Sequence, residues 1–221
     1  MPSPAEPPGR RPLPEDLGRL LHDLRGPLNS AVMHLEVLKR AVADDPAAGE
    51  SLRTVQQQLG RLAEMLPAAF DICALEIGEA RRLDLRAVVD RALEDAGGVT
   101  LEPGAWPAVH GDETLLALAI AQLVRNALDV TPAGAPAPLV SAATDDKGDV
   151  VLTVRDWGPG LRSTNPKLVI RLLGSDKRDG HRGLGLPIAD RIARLHGGSL
   201  RFSAPPSPPG ALVSLVLPPA R

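Results

Sequence analysis

Two runs of apolar residues, spaced alternately four and three apart, constrain this chain more than anything else in it. Leu17, Leu21, Leu24, Leu28, Ala31, Leu35, Leu38 and Val42 form the first, and Leu52, Val55, Leu59, Leu62, Leu66, Ala69 and Cys73 the second. That rhythm holds one narrow stripe on one side of a helix, which is a coiled-coil seam. Asp44-Asp45-Pro46 between the runs supplies turn chemistry, so the two helices form a hairpin. A hairpin with stripes this narrow cannot enclose a core, whereas two hairpins bring four stripes together. The expectation is a homodimer built on a four-helix bundle. Pro27 and Pro67 fall inside the helices, where each removes a backbone hydrogen bond, and they are candidate hinges.

After Gly78 the texture changes to short β-branched or alternating stretches, separated by Gly, Pro and Asp and interleaved with amphipathic helices. This is an α+β pattern. The spacing predicts a strand near Leu83–Leu85, a helix over Arg86–Asp95 and strands near Val99–Glu102 and Ala108–His110. A helix over Asp112–Val130 follows, then strands Pro138–Thr144 and Asp149–Arg155 joined by Asp145-Asp146-Lys147-Gly148. A helix from about Leu184 to His196 ends at Gly197-Gly198, before a hairpin of Ser199–Ala204 with Ala211–Leu217. The chain therefore reads as multidomain: a Pro-rich leader over residues 1–12, the helical hairpin over 13–78 and an α+β sandwich over 79–221.

Composition closes off several classes. Lys+Arg 25 against Asp+Glu 27 leaves a net charge of −2, which argues against a general nucleic-acid binder or a polybasic membrane protein. The single Cys73 forms no intramolecular disulfide and is expected to fill a core gap, and no Cys/His spacing suits zinc. The opening MPSPAEPPGRRPLPED carries prolines where a secretion signal needs an apolar stretch. The longest apolar run, around Leu115–Ala121, is far short of the roughly 20 residues that span a bilayer. These features imply a soluble, cytoplasmic protein.

Some residues stand out chemically. His22 follows the seam residue Leu21, so its imidazole lies beside the stripe, and Asp23 next to it can orient the ring and accept its proton. Such a pair on a helix is ordinarily just solvated; its surroundings, His22-Asp23-Leu24-Arg25-Gly26-Pro27-Leu28-Asn29, give it more weight. This run resembles the H-box of sensor histidine kinases, a family in which the histidine is phosphorylated, the acidic neighbour acts as base and the proline kinks the helix. Asp156-Trp157-Gly158-Pro159-Gly160, by itself a plausible turn, resembles the family's DxGxG box. There the carboxylate reads the adenine amino group and the glycines admit the base. Gly183-Leu184-Gly185-Leu186 opens a helix whose N–H groups suit phosphate oxygens, and with Pro187-Ile188-Ala189 and Leu195-His196-Gly197-Gly198 it resembles the GLGL box. Gln122-Leu123-Val124-Arg125-Asn126-Ala127 resembles the N-box, which implies that Asn126 holds magnesium and that Arg125 reaches the phosphates, although a surface arginine is an equally ordinary reading. Arg162, Lys167, Arg171, Lys177, Arg178 and Arg182 mark a basic segment that reads as a mobile lid, with Lys177 the candidate for the nucleotide.

The four motifs occur in the family's order from about Leu17 to Leu217. The resemblance implies a HisKA-type dimerisation and phosphotransfer hairpin followed by an ATP-binding sandwich of the gyrase, Hsp90 and histidine-kinase type. It also implies the cofactors ATP and Mg2+ and an aspartate of a response-regulator receiver domain as recipient; with no sensor segment read in the sequence, the signal is expected from a separate sensor protein, or activity is set by expression. Three departures stand against this. Gly26 replaces the Thr or Asn usual four residues after the histidine, which predicts weak or absent phosphatase activity. Gln122 replaces the first asparagine of the N-box; its lack of a base is compatible with transfer rather than hydrolysis, but its longer amide could disturb magnesium coordination, and the phenylalanine usual before the lid is missing, with Leu172 and Leu173 nearby. They keep open an alternative, a histidine phosphotransfer protein whose degenerate ATP domain serves only for docking.

Overall fold

The computed structural model describes residues 15–41, 46–94, 97–104, 106–170 and 184–220. Its residues divide into two compact units, one helical and ending at Ala74, the other mixed and beginning at Leu75. No helix among the described residues is long and apolar enough to cross a membrane.

The helical unit holds α1 (Glu15–Ala41) and α2 (Pro46–Cys73), which pack against each other. Gln56 Nε2 donates across the pair to Glu36 Oε1 at 2.9 Å. Both helices run unbroken through Pro27 and Pro67. Pro46, expected in the turn, instead opens α2, because a proline at the first helical position has no N–H to lose. Leu28, Ala31, Leu35, Leu52, Leu59, Leu66 and Ala69 of the seams are half-buried. Leu38, Val55 and Leu62 remain 50%, 46% and 47% exposed. Cys73 corrects the sequence reading: it is exposed rather than filling a core gap, since it ends a stripe that one hairpin does not cover.

The second unit is built on β1 (Arg81–Asp84), α3 (Leu85–Ala92), β2 (Thr100–Leu101), β3 (Ala108–Gly111), α4 (Glu113–Val130), β4 (Leu139–Thr144), β5 (Val150–Arg155), α5 (Pro166–Val169), α6 (Gly185–Leu195), β6 (Ser199–Ser203) and β7 (Leu212–Leu217). Five strands form one sheet in the order β2-β4-β5-β7-β6, with β2 parallel to β4 and the other pairs antiparallel. β1 and β3 pair separately, Leu83 opposite Val109. Alternation sets the faces: Val150, Leu152 and Val154 of β5 and Val213, Leu215 and Leu217 of β7 point into the core. They meet Leu115, Leu116, Ile120 and Leu123 of α4 and Ile192 of α6 there. Each of these α4 and α6 residues is no more than 2% exposed, and burying such a side chain contributes about 1.5–3 kcal/mol. Thr153 and Ser214 hydrogen-bond to each other on the opposite sheet face at 2.9 Å.

Helix starts depart from the sequence reading for one reason, capping. Asp84, expected within a strand running to Leu85, accepts from Arg86 N at 2.9 Å and turns the chain into α3 at Leu85. That helix ends at Ala92 rather than at Asp95. Asp112 likewise caps α4 instead of belonging to it. The short α5 lies in the segment read as a lid without regular structure.

Candidate functional site

Three residues of the site reading, Asp156, Gly158 and Gly160, lie in the turn after β5. Asp156, only 4% exposed, follows the last residue of β5. Its Oδ1 accepts from Gly158 N at 2.8 Å and Ala211 N at 3.2 Å. Both bonds fall on one oxygen; Oδ2 accepts none among the described residues and is not sealed from solvent. Gly158 is buried against the end of α4: a Cβ there would stand 2.8 Å from the Val130 carbonyl oxygen and 2.9 Å from Val130 Cβ. Gly160 has φ +82°, a conformation that disfavours any side chain, and Gly210 backs it. Trp157 is pinned outward, its Nε1–H donating to Ala137 O at 3.2 Å while the Arg155 guanidinium lies 3.8 Å over its ring.

α4 and α6 supply the facing wall. Gln122 and Asn126 are one helical turn apart on α4 and half-buried, whereas Arg125 points to solvent. Gly185, the first residue of α6, lies against Gln122: a Cβ on it would be 3.0 Å from Gln122 Oε1. Leu184 takes the N-cap position without a capping side chain, and Leu186 follows half-buried. Pro187 has no N–H, so the first turn of α6 presents the amides of Gly185 and Leu186, neither bonded among the described residues. Lys177 and Gly183 lie outside the described residues, as does the leader over 1–12, and of the proposed lid the structure describes only residues up to 170. His22 and Asp23 belong to α1 in the other unit; only their place on the helix is described.

No cluster of three or more His, Cys, Asp or Glu able to hold a metal occurs among the described residues. The Asn126 amide oxygen is a hard donor of the kind that could add one ligand to a cation carried by phosphate oxygens and water.

Sequence reasoning missed a joint at the far end of α6. Asp112 Oδ1 accepts from Thr114 N and Leu115 N, and its Oδ2 accepts from Gly78 N at 2.9 Å. The Asp112 amide donates to His196 Nε2 at 3.0 Å, and His196 Nδ1 donates to Ile192 O at 2.8 Å, so the buried imidazole is neutral with its proton on Nδ1. His196 thus ties α6 to the start of α4. A cleft of about 500 Å³ lies at this end, lined by Ile77, His110, Leu195 and His196 among others. Beside the joint, the Arg81 and Arg91 guanidinium groups hold the Glu113 carboxyl below its usual range. At the β4–β5 turn burial raises the Asp145 carboxyl, but the Lys147 and Asp149 amides and Arg201 outweigh it and leave it lowered.

Residues 111–221 match the family model for the histidine kinase-, DNA gyrase B-, and HSP90-like ATPases. The sensor histidine kinase MtrB of Mycobacterium tuberculosis is 33% identical over 219 residues, covering 90% of this chain and 38% of that protein. Among solved structures, a mycobacterial sensor histidine kinase, MprB, is 30% identical with a TM-score of 0.54, covering 63% of this chain and 97% of that one. The ATP-binding domain of PrrB from Mycobacterium tuberculosis is 26% identical with a TM-score of 0.52, covering 65% and 100%.

Proposed function

The chain belongs to the histidine kinase-, DNA gyrase B-, and HSP90-like ATPases, and on that premise we propose that it is a histidine kinase of a two-component system. It transfers the γ-phosphoryl group of Mg-ATP to His22 and then offers it to an aspartate of a response-regulator receiver domain.

The single observation that carries the reading is the Asp156 carboxylate. Among the described residues Asp156 gives the fold only Oδ1, and its Oδ2, not sealed from solvent, is left to accept from a ligand donor such as the adenine amino group. Gly158 and Gly160 let the turn that carries Asp156 close against Val130 and Gly210, and the amides of Gly185 and Leu186 face the phosphates after Leu184. Arg125, exposed on α4, and Lys177, outside the described residues, are the positive charges that the motif resemblance assigns to the phosphates. Asn126 takes one position on the Mg2+ that accompanies the nucleotide, and Mg2+ supplies charge neutralisation at the phosphate oxygens. In the transfer, one His22 ring nitrogen attacks the γ-phosphorus, the bond from that phosphorus to the bridging oxygen breaks with ADP leaving, and Asp23 takes the proton of the other ring nitrogen. Gln122, an amide, has no basic group with which to activate water, which favours transfer over hydrolysis.

The exposed seam residues Leu38, Val55 and Leu62 support the homodimer, because a second hairpin would remove them from water. Relatives named as sensor histidine kinases support the response-regulator partner.

Calorimetric titration of Mg-ATP into the wild-type chain and Asp156→Asn tests the site. An asparagine that keeps its oxygen toward Gly158 N and Ala211 N turns its amino group on the ligand, so affinity for Mg-ATP is expected to fall by about tenfold or more. Equal affinity in the two proteins refutes the assignment.

A further inference from the structure

We propose that Thr131 is a positioning residue, which through its hydroxyl couples the adenine-reading turn to the helix that holds the magnesium ligand. This rests on the functional reading above and adds to it a residue that no motif contains.

Thr131 is the residue after α4 and Trp157 the residue after Asp156. The Thr131 Oγ1–H donates to Ala127 O at 2.8 Å, in the last turn of α4. The same oxygen accepts from Trp157 N at 3.3 Å. One hydroxyl has one proton and two lone pairs, so a single atom serves both sides of the junction. Ala127 adjoins Asn126, and Trp157 adjoins Asp156; the hydroxyl is thus one residue from each proposed ligand contact. The adjoining surfaces leave no slack, since Gly158 sits flush against Val130. The Trp157 ring has contacts of its own, its Nε1–H donating to Ala137 O and the Arg155 guanidinium lying over it.

A nucleotide that engages Asp156 with its base and Asn126 through its metal-bearing phosphates spans this junction. Its two ends bind together best when the junction holds a fixed separation. Adenosine engages only the turn and gains nothing from the tie.

The test compares wild type, Thr131→Val and Thr131→Ser by titration with Mg-ATP, with ATP in chelator, and with adenosine, alongside melting curves. Valine keeps the shape and removes the hydroxyl. The expected result is a loss of about five- to tenfold for Mg-ATP in Thr131→Val, the scale of one hydrogen bond, with adenosine affinity unchanged and the gain from Mg2+ reduced. Thr131→Ser restores the wild-type pattern. Unchanged Mg-ATP affinity in Thr131→Val overturns the proposal. So does a parallel loss for adenosine and Mg-ATP, or a serine variant as weak as valine, because either marks a merely structural residue. No nucleotide binding by the wild-type chain overturns the functional reading itself, and the proposal with it.

Discussion

Replacing Asp112 by alanine removes three hydrogen bonds from one buried carboxylate, and the structure allows the cost to be apportioned. Two of them, from Thr114 N and Leu115 N, cap α4, and losing such a cap costs about 0.5–2 kcal/mol. The third, from Gly78 N, is made to a charged acceptor and contributes about 1.5–3 kcal/mol. The total is about 3 kcal/mol, since the bonds share one side chain and do not add fully. Asp112→Asn separates them: its oxygen can keep the cap while its amino group confronts the Gly78 N–H, so it should fall between wild type and alanine. Both tryptophans, Trp106 and Trp157, lie in the α/β unit, so their fluorescence during urea unfolding follows that unit alone. At unchanged m-value the midpoint should shift in the order wild type, Asn, Ala. In a thermal melt, about 2–4 °C per kcal/mol for a unit of this size gives a loss of about 6–12 °C for alanine. An alanine variant within about 0.5 kcal/mol of wild type, the scatter of ordinary surface changes, would refute the reasoning.

Other consequences follow from the same geometry. Gly158→Ala sets a methyl group against the Val130 backbone and should destabilise by about 1–3 kcal/mol, whereas Gly185→Ala meets only the end of the Gln122 side chain and should unfold like wild type; equal melting losses would count against this contrast. For Glu113, the folded pKa is lowered by Arg81 and Arg91, so its stabilisation is present above the ordinary value of 4.5 and is lost as pH falls through the folded value. Wild type should therefore be more stable than Glu113→Gln at pH 7 and converge with it in acid, a pH-independent difference being the contrary result. Leu38→Glu with Leu62→Glu puts charge into the exposed seam and should convert a dimer to a monomer in sedimentation velocity; a wild-type monomer at micromolar concentration would rule out the bundle.

Periodicity made the regular parts of this molecule legible. The four-and-three spacing of the leucines marked α1 and α2, and the alternation in Val150–Arg155 and Leu212–Leu217 marked the central strands. Short local signals marked helix starts only to within a residue or so, because Asp84 and Asp112 act from outside the helices they cap. The turn at Asp156 and the start of α6 at Gly185 were readable as motifs, though not the way Gly158 docks on Val130 or Gly185 on Gln122. Long-range pairing escaped detection altogether. His196 meets Asp112 from 84 positions away, and Trp157 meets Thr131 from 26, and nothing local in either segment encodes the partner. Cys73 is exposed where its seam position suggests burial, because a seam position is buried only when something covers it.

The central claim is that His22 accepts the γ-phosphoryl group of ATP. Its most direct test is to incubate the purified chain with γ-labelled Mg-ATP beside His22→Ala, then to expose the labelled protein to acid and to alkali. The account predicts label on the wild-type chain that survives alkali, is lost in acid and is missing from the variant. Label of equal amount on His22→Ala, or no label on a wild-type chain that binds the nucleotide, would contradict it.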